Sequence, residues 1–248
     1  MSQGATLCER LDWDSSFFGI SIARAVPSRV DLPTRDAILD WCRAEGIDCL
    51  YFLADEDADT MRVLEDAAFS RVDDRVTLEL QSIPPASSPH ADTRAACQGD
   101  IVALRNIAAV SHHDSRFYND RHFDRRRCDE LYRVWIERSC QGWADHVVVV
   151  ERDGNAVGYL TVHLREPHAA SIGLVGVDRS YRRQGIGAHL MSGALAWISG
   201  QSVRRVWTAT QGRNVASQGF FQNAGFRPTG RAIWYHRWFS PSTGAAAS

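Results

Sequence analysis

A short stretch rich in hydrogen-bond donors and glycine, YRRQGIGAHL (181–190), lies between the apolar run SIGLVGV and a segment with helical periodicity. Backbone N–H groups in the first turn of a helix have no intrahelical partners and carry partial positive charge, so they bind anions. Gly185 and Gly187 leave these amides uncovered, and the two arginines add charge. The stretch predicts a pyrophosphate site made mostly of backbone, the alternative being a solvated turn between strand and helix.

Two common nucleotide-binding loops do not fit this stretch. A Walker loop needs Gly-Lys followed by Ser or Thr, which the sequence lacks at this turn. A dinucleotide fingerprint needs a third glycine where Leu190 stands, and an acidic residue about twenty positions further on. The region near residue 205 reads VRRV and contains no acid. Both loop classes are therefore excluded.

The composition is that of an ordinary globular protein and limits the partners. The 248 residues are 44% hydrophobic and 23% charged, and the net charge of −2 gives no general attraction to nucleic acid or to an anionic membrane. The apolar runs are too short to span a bilayer, and the first residues do not resemble a signal peptide. The six cysteines are scattered, which predicts reduced thiols in a cytoplasmic protein, with neither a zinc site nor a disulfide framework. We therefore expect no metal, no nucleic acid and no membrane partner.

The elements that position the glycine-rich stretch can be predicted from periodicity. A linker rich in proline and small polar residues, 81–93, separates a smaller N-terminal α/β domain (1–80) from a larger domain (94–248). The larger domain begins with two helices and continues with three strands, the first two joined by an Asp-Gly turn. The glycine-rich stretch then leads into a helix that ends at Gly200, and strand, helix and strand follow. This order predicts the α/β class of α+β type, with a mixed, mostly antiparallel central sheet flanked by helices.

Two parts of the chain also resemble each other. Residues 59–80 and 214–239 both read as helix, small residue, Phe, turn, Arg and strand. The N-terminal domain is then a truncated relative of the C-terminal one, or the match is due to chance.

The motif VDRSYRRQGIGAHLM resembles the RxxGxG signature of the GNAT N-acetyltransferase superfamily, and NVASQGFFQNAGF resembles the segment that follows it there. The resemblance covers about residues 94–248 and implies the GNAT fold, with acetyl-CoA as donor and co-substrate. It also implies that the strand GLVGV splays from its neighbour, that the Val175 amide stabilises the oxyanion of the attacked thioester, and that the pantetheine runs along Val177. The implied CoA-binding residues are Val175, Val177, Arg182, Arg183, Gln184, Gly185, Ile186, Gly187, Ala188 and Asn214. Asn214 is equally explained as a helix N-cap.

Three looser motifs, LDWDSSFFGI, DSRFYNDRHF and TATQGRN, resemble the TDP-fucosamine (TDP-4-amino-4,6-dideoxygalactose) acetyltransferase branch of this superfamily. That resemblance implies a TDP-linked amino-dideoxy sugar as acceptor, in polysaccharide synthesis. It assigns Arg116, Phe117 and Tyr118 to the nucleotide sugar, since arginine and aromatic side chains pair with phosphates and stack on bases.

The usual acid and base of the family have no counterparts here. Ser171 stands where a glutamate base often lies, and Phe221 stands where a tyrosine acid often lies. We therefore expect direct attack by an already neutral amine, with His163, or His112 and His113 through a water, as a proton relay. His163 is alternatively a structural histidine.

Other functions and the assembly stay open at this point. The acceptor is alternatively another small amine or a protein N-terminus, and the chain is alternatively a degenerate module that binds CoA without turnover. The acyl-chain preference and the oligomeric state are undetermined, a homodimer being one expectation.

Overall fold

The computed structural model describes residues 6–83, 89–165 and 168–239, so residues 84–88 of the predicted linker lie outside the described residues. The strands are β1 (Cys8–Arg10), β2 (Ile22–Ala25), β3 (Cys49–Asp55), β4 (Ser70–Leu80), β5 (Thr93–Ala95), β6 (His146–Arg152), β7 (Asn155–Arg165), β8 (Ala169–Val177), β9 (Arg205–Gln211) and β10 (Arg227–Trp238). The helices are α1 (Asp12–Phe18), α2 (Leu32–Ala44), α3 (Ala58–Asp66), α4 (Ile101–Ala109), α5 (Arg116–Asn119), α6 (Arg125–Arg138), α7 (Ile186–Ser199) and α8 (Val215–Asn223). No helix within the described ranges has the length and apolar character needed to cross a membrane.

The chain divides into two compact units. Unit 1 contains the described residues of Met1–Arg75 and Arg231–Ser248, and unit 2 contains those of Val76–Gly230. Two strands, β4 and β10, therefore begin in one unit and end in the other.

Unit 1 is a small sheet packed with helices. Its strands lie in the order β1-β2-β3-β10, with β2 and β3 parallel and the other two pairs antiparallel. Its core contains Ile38 of α2, Phe52 of β3, Leu64 of α3 and Tyr235 of β10, all almost fully buried. The final strand thus completes the sheet that the first residues of the chain begin.

Unit 2 contains the larger sheet. Its strands lie in the order β4-β9-β8-β7-β6-β5. Strands β8 and β9 pair in parallel, and the pairs β5–β6, β6–β7 and β7–β8 are antiparallel. The predicted Asp-Gly turn joins β6 to β7, with Asp153 at φ 50° and Gly154 at φ 77°, as a two-residue hairpin turn requires. Leu160 and Ile172 of the sheet pack against Leu190 of α7 in the core. The predicted α/β class, with a mixed and mostly antiparallel sheet flanked by helices, is confirmed.

The two segments with similar sequences also end their helices in the same way. After α3, Ala68 adopts φ 57° and the Phe69 amide donates to the Leu64 carbonyl. After α8, Gly225 adopts φ 91° and the Phe226 amide donates to the carbonyl five residues earlier. These are left-handed helix ends of one type, followed in both cases by a strand. An origin by repetition stays a prediction.

Candidate functional site

A cleft opens in the middle of the unit 2 sheet, where β8 and β9 separate. Their parallel pairing ends at Ile172 and Thr208, although β8 continues to Val177 and β9 to Gln211. The cleft between the diverging strands has a volume of about 740 Å³. Along its wall β8 contributes 173–177 and β9 contributes 208–211.

The open edge of β8 presents backbone amides to this cleft. The Leu174 amide donates to the Thr161 hydroxyl of β7 (2.8 Å), and the Asp178 amide donates to a β7 carbonyl (2.9 Å). Successive amides of a strand point to opposite edges, so the amides of Val175 and Val177 face away from β7 and into the cleft. The structure thus places two unshielded N–H donors where β9 no longer pairs.

The glycine-rich loop forms one end of the cleft and begins α7. Gly185 is the N-cap of α7 with φ 79°, and Arg183 also has a left-handed φ of 58°. The Arg182 Nε donates to the Val177 carbonyl (3.0 Å), and the Gln184 side chain donates to a carbonyl of the preceding 3₁₀ turn (2.9 Å). These two side chains therefore build the loop, while the helix N-terminus supplies the amides and charge that suit an anion.

The two loop glycines are needed for different reasons. A Cβ at Gly185 would have ordinary room, its closest neighbour being the His189 Nε2 at 3.7 Å, so the left-handed backbone is what favours glycine there. A Cβ at Gly187 would lie 3.1 Å from the Phe220 ring. Packing of α8 against α7 therefore adds a reason for Gly187 beyond the access of a phosphate to the amides.

The predicted CoA-binding residues do not all reach the cleft in the same way. Among the described lining residues of the loop are Arg182, Arg183, Gly185, Ile186 and Gly187. Gln184 and Ala188 are not among them.

Asn214 lines the cleft and is also the N-cap of α8. Its Oδ1 accepts the Ser217 amide (2.9 Å), and its Nδ2 lies 3.3 Å from the Gln211 side-chain oxygen. The N-cap role that the sequence allowed is therefore observed, and the amide nitrogen of Asn214 faces the Gln211 side chain in the cleft wall.

The remaining wall of the cleft is formed by α6 and by the segment after α4. It is lined by Ser111, His112, Asp114, Tyr132 and Trp135. The His112 ring stacks on Tyr132 with centroids 4.4 Å apart, and its Nε2 lies 2.9 Å from the Tyr159 hydroxyl. Burial, assisted by the nearby His113, lowers the pKa of His112 to about 3.

The three residues that the resemblance assigned to the nucleotide sugar lie elsewhere. Phe117 is 2% exposed and packs edge-on against Phe123 and Trp135. The Tyr118 hydroxyl donates to the Asp129 carboxylate (2.5 Å), and the Arg116 guanidinium lies 4.4 Å from the Phe117 ring centroid. Within the described part of the chain, none of these three lines the cleft, because α5 turns its aromatic side chain into the packing against α6.

The positions of the usual base and acid hold inert side chains. Ser171 is buried and accepts a hydrogen bond from the Arg165 Nε (3.3 Å). Phe221 is 2% exposed and packs on Phe226. His163 is buried against the Trp143 ring, and burial is the main cause that lowers its pKa. Phe221 lines the cleft, whereas His163 and Ser171 are not among the described residues that line it.

Tyr159 and Thr161 of β7, which lie behind the open strand, were not identified from the sequence, and His163 beside them was named only as a proton relay. A Cβ at Gly176 would lie 2.6–2.8 Å from the Tyr159 ring, and a Cβ at Gly173 would lie 2.8 Å from Thr161 Oγ1 and 2.9 Å from His163 Nε2. Glycines inside a strand mark a close approach by another group. The two glycines of GLVGV were therefore the available signal for these neighbours.

Part of unit 2 is similar to a known protein family. Residues 107–226 match the family model described as Acetyltransferase (GNAT) family. The chain is 26% identical over 140 residues to the spore coat polysaccharide biosynthesis protein SpsD of Bacillus subtilis (strain 168), an alignment that covers 56% of this chain and 48% of that protein. The alignment therefore spans about half of this relative's length.

Solved structures resemble nearly the whole chain at low sequence identity. A GCN5-related N-acetyltransferase from Sphaerobacter thermophilus is 15% identical, with a TM-score of 0.64, and the match covers 97% of this chain and 79% of that one. A GCN5-related N-acetyltransferase from Kribbella flavida is 17% identical, with a TM-score of 0.57, covering 89% of this chain and 82% of that one. At these identities the structures establish a shared fold.

Proposed function

We propose that this chain, whose residues 107–226 match the GNAT acetyltransferase family, transfers an acetyl group from acetyl-CoA to the amine of a nucleotide-linked amino-dideoxy sugar. The observation that carries the proposal is the cleft between β8 and β9, with the amides of Val175 and Val177 along one side and the α7 N-terminus at one end. In this proposal the diphosphate of the donor binds the loop amides and the pantetheine runs along β8 as an added strand.

The residues present suit such a donor. The α7 amides, with Arg182 and Arg183 beside them, favour a diphosphate. The Val175 amide is held by β7–β8 pairing and points at the cleft before any ligand arrives. A preorganised N–H donor of this kind stabilises the oxyanion of an attacked thioester by an amount worth about 10² or more in rate.

The acceptor assignment is supported by the relative in polysaccharide biosynthesis and by the aromatic wall of the cleft. Trp135, a half-buried residue of the cleft lining, offers an aromatic surface in place of Phe117 and Tyr118, whose side chains are engaged in packing and in a hydrogen bond to a carboxylate. Arg116, the one arginine assigned to the acceptor, stays a proposed contact, although it is not among the described residues that line the cleft. A TDP-linked sugar is the specific acceptor we propose.

We propose that the transfer proceeds by direct attack. The neutral amine nitrogen forms the new C–N bond, the C–S bond breaks, and the proton lost by nitrogen passes through solvent to the departing thiolate. A thiolate with a reference pKa near 8.5 leaves without an acid, which agrees with Phe221 at the usual tyrosine position. We also retain a homodimer and a cytoplasmic location as predictions.

A turnover assay tests the proposal. Purified protein is mixed with acetyl-CoA and a panel of TDP-linked amino-dideoxy sugars, simple alkyl amines and peptides with a free N-terminus, and the release of free thiol is followed. We expect turnover with an amino sugar. Turnover with only alkyl amines or peptides would redirect the acceptor assignment, and CoA binding without thiol release from any acceptor would identify a degenerate binding module.

The proton relay needs a separate test with His163→Gln. Because His163 is buried and outside the described cleft lining, we expect the variant to keep the wild-type pH–rate profile. A shifted profile would restore His163 as a relay.

A further inference from the structure

His112 is held at the cleft by groups from three elements. It follows α4 in the chain, its ring lies nearly parallel to the Tyr132 ring of α6 (18°), and its Nε2 meets the Tyr159 hydroxyl of β7 at 2.9 Å. Tyr159 is fully buried beneath Gly176, the residue after Val175. The imidazole is therefore fixed next to the strand whose amides face the donor.

The bond between His112 and Tyr159 has a defined direction. Among the described residues, His112 is the hydrogen-bond partner of the buried Tyr159 hydroxyl, and a buried O–H that donates to no group is unfavourable. Burial raises the pKa of Tyr159, so the phenol keeps its proton, and its O–H donates a hydrogen bond to Nε2 of His112. Since the pKa of His112 is lowered to about 3, the ring is neutral near pH 7 and carries its single proton on Nδ1.

The bond to Tyr159 uses Nε2 of His112 and leaves the other ring nitrogen, Nδ1, as the group available to a ligand. The ring is one of the groups that line the cleft. In the described part of the chain, Nδ1 has no hydrogen-bond partner from the protein. It is also not one of the fully buried side-chain atoms that lack a partner. The atom is therefore accessible, and the charged or titratable groups around the ring are His113 and Asp114 beside it and the two tyrosines that hold it.

We propose that His112 is a positioning residue for the acceptor, whose Nδ1–H donates a hydrogen bond to the hydroxyl on the carbon next to the reacting amine. This inference rests on the proposed function. A fixed N–H donor cannot take a proton from the amine, and donation to the amine lone pair would block attack, so an oxygen beside the amine is the group it suits. The site thereby favours amino alcohols, as found in amino sugars, over simple alkyl amines.

The kinetic test pairs a change in the enzyme with a change in the acceptor. Wild type and His112→Ala are compared with TDP-4-amino-4,6-dideoxygalactose and with its 3-deoxy analogue, which lacks the hydroxyl next to the amine. We expect wild type to lose about 3- to 10-fold in kcat/KM on removal of the hydroxyl, the size of one neutral hydrogen bond. His112→Ala should lose a similar factor with the full sugar and show little further loss with the analogue.

Control variants separate positioning from general damage. His112→Asn places an amide N–H near the position of Nδ1, so it should recover part of the preference for the hydroxyl. The KM for acetyl-CoA and the shape of the pH–rate profile should be unchanged in both variants, since His112 neither binds the donor nor titrates near neutral pH. Equal slowing with both acceptors, or a changed pH profile, would overturn the proposal.

A measurement that needs no turnover tests the tautomer. Long-range ¹⁵N NMR of histidine-labelled protein, assigned with His112→Asn, should show His112 protonated at Nδ1 and not titrating between about pH 5 and 8. Protonation at Nε2, or titration near the reference value, would overturn the inference. If wild type acetylates no amino sugar, the proposed function fails, whereas normal turnover without coupling between His112 and the hydroxyl refutes this inference alone.

Discussion

The close contact between Gly176 and Tyr159 makes Gly176→Ala a sharp test of the packing behind the cleft. An alanine Cβ at position 176 would lie 2.6, 2.7 and 2.8 Å from Cε1, Cζ and the hydroxyl of Tyr159. Tyr159 is fully buried, so its ring has no route into solvent, and β8 or the ring must shift. The substitution therefore overpacks the sheet next to Val175.

The expected cost combines three effects. Overpacking of a well-packed core costs about 1–3 kcal/mol. A shift of the Tyr159 ring away from His112 loses a hydrogen bond of about 1 kcal/mol. Replacing a strand glycine by alanine returns roughly 0.5–1 kcal/mol of conformational entropy. We expect a net loss of about 1–3.5 kcal/mol in the free energy of unfolding.

Urea denaturation followed by tryptophan fluorescence measures this loss, and Gly219→Ala is the matched control. A Cβ at Gly219 of α8 has no neighbour within 4 Å, so this variant should gain up to about 1 kcal/mol from helix propensity. Both variants should keep the wild-type slope with urea, as a change in midpoint alone reports stability. Gly176→Ala should also lower kcat/KM, because the Val175 amide moves with its neighbour.

A Gly176→Ala protein as stable as wild type would refute the reasoning, because it would mean that the Tyr159 ring does not fill the space beneath β8. Equal losses in Gly176→Ala and Gly219→Ala would also contradict it, since only the first position is crowded.

Three other predictions concern the loop, the cap and a buried ion pair. Gly185→Ala should lose about 1–2 kcal/mol in urea denaturation because of its left-handed φ, and Gly185→Asn should lose less; equal losses would argue against strain. Asn214→Ala should lose about 0.5–2 kcal/mol of unfolding free energy because the α8 cap is lost, and Asn214→Ser should restore stability. If calorimetry shows that the Ser variant still binds CoA more weakly than wild type, Asn214 contacts CoA directly. The Arg94 guanidinium holds the pKa of the buried Asp100 below its usual value, so Asp100 stabilises the fold above about pH 4 and this contribution is lost as pH falls further. The difference in unfolding free energy between wild type and Asp100→Asn should therefore shrink on acidification. A difference that does not depend on pH would contradict the pairing.

Local features of the chain were predictable because they depend on neighbours in sequence. The alternation and apolar character of β6, β7 and β8, the Asp-Gly turn and the helical start after Gly185 all follow from residues within a few positions of one another. The α/β class follows from the order of such elements, and the amide-rich loop follows from its glycines and its place between strand and helix.

The candidate acceptor site was not predictable because its members are distant in sequence. His112 and Tyr159 are 47 positions apart and meet only when α4 lies over β7. Phe117 looked like an exposed stacking residue because its neighbours are polar, whereas α5 buries it against α6. No sequence motif marked Tyr132 of α6, yet it lines the cleft and stacks on His112.

The sequence by itself determined the main elements and the helix N-terminus that suits a diphosphate. Only the tertiary structure decided where β9 stops pairing with β8, which amides are left open, and which histidine reaches the cleft. It also paired 232–238 with β3, a strand formed by residues near the other end of the described chain. Pairing and packing between distant segments depend on the summed burial of many side chains, and no local pattern of residue types encodes that sum.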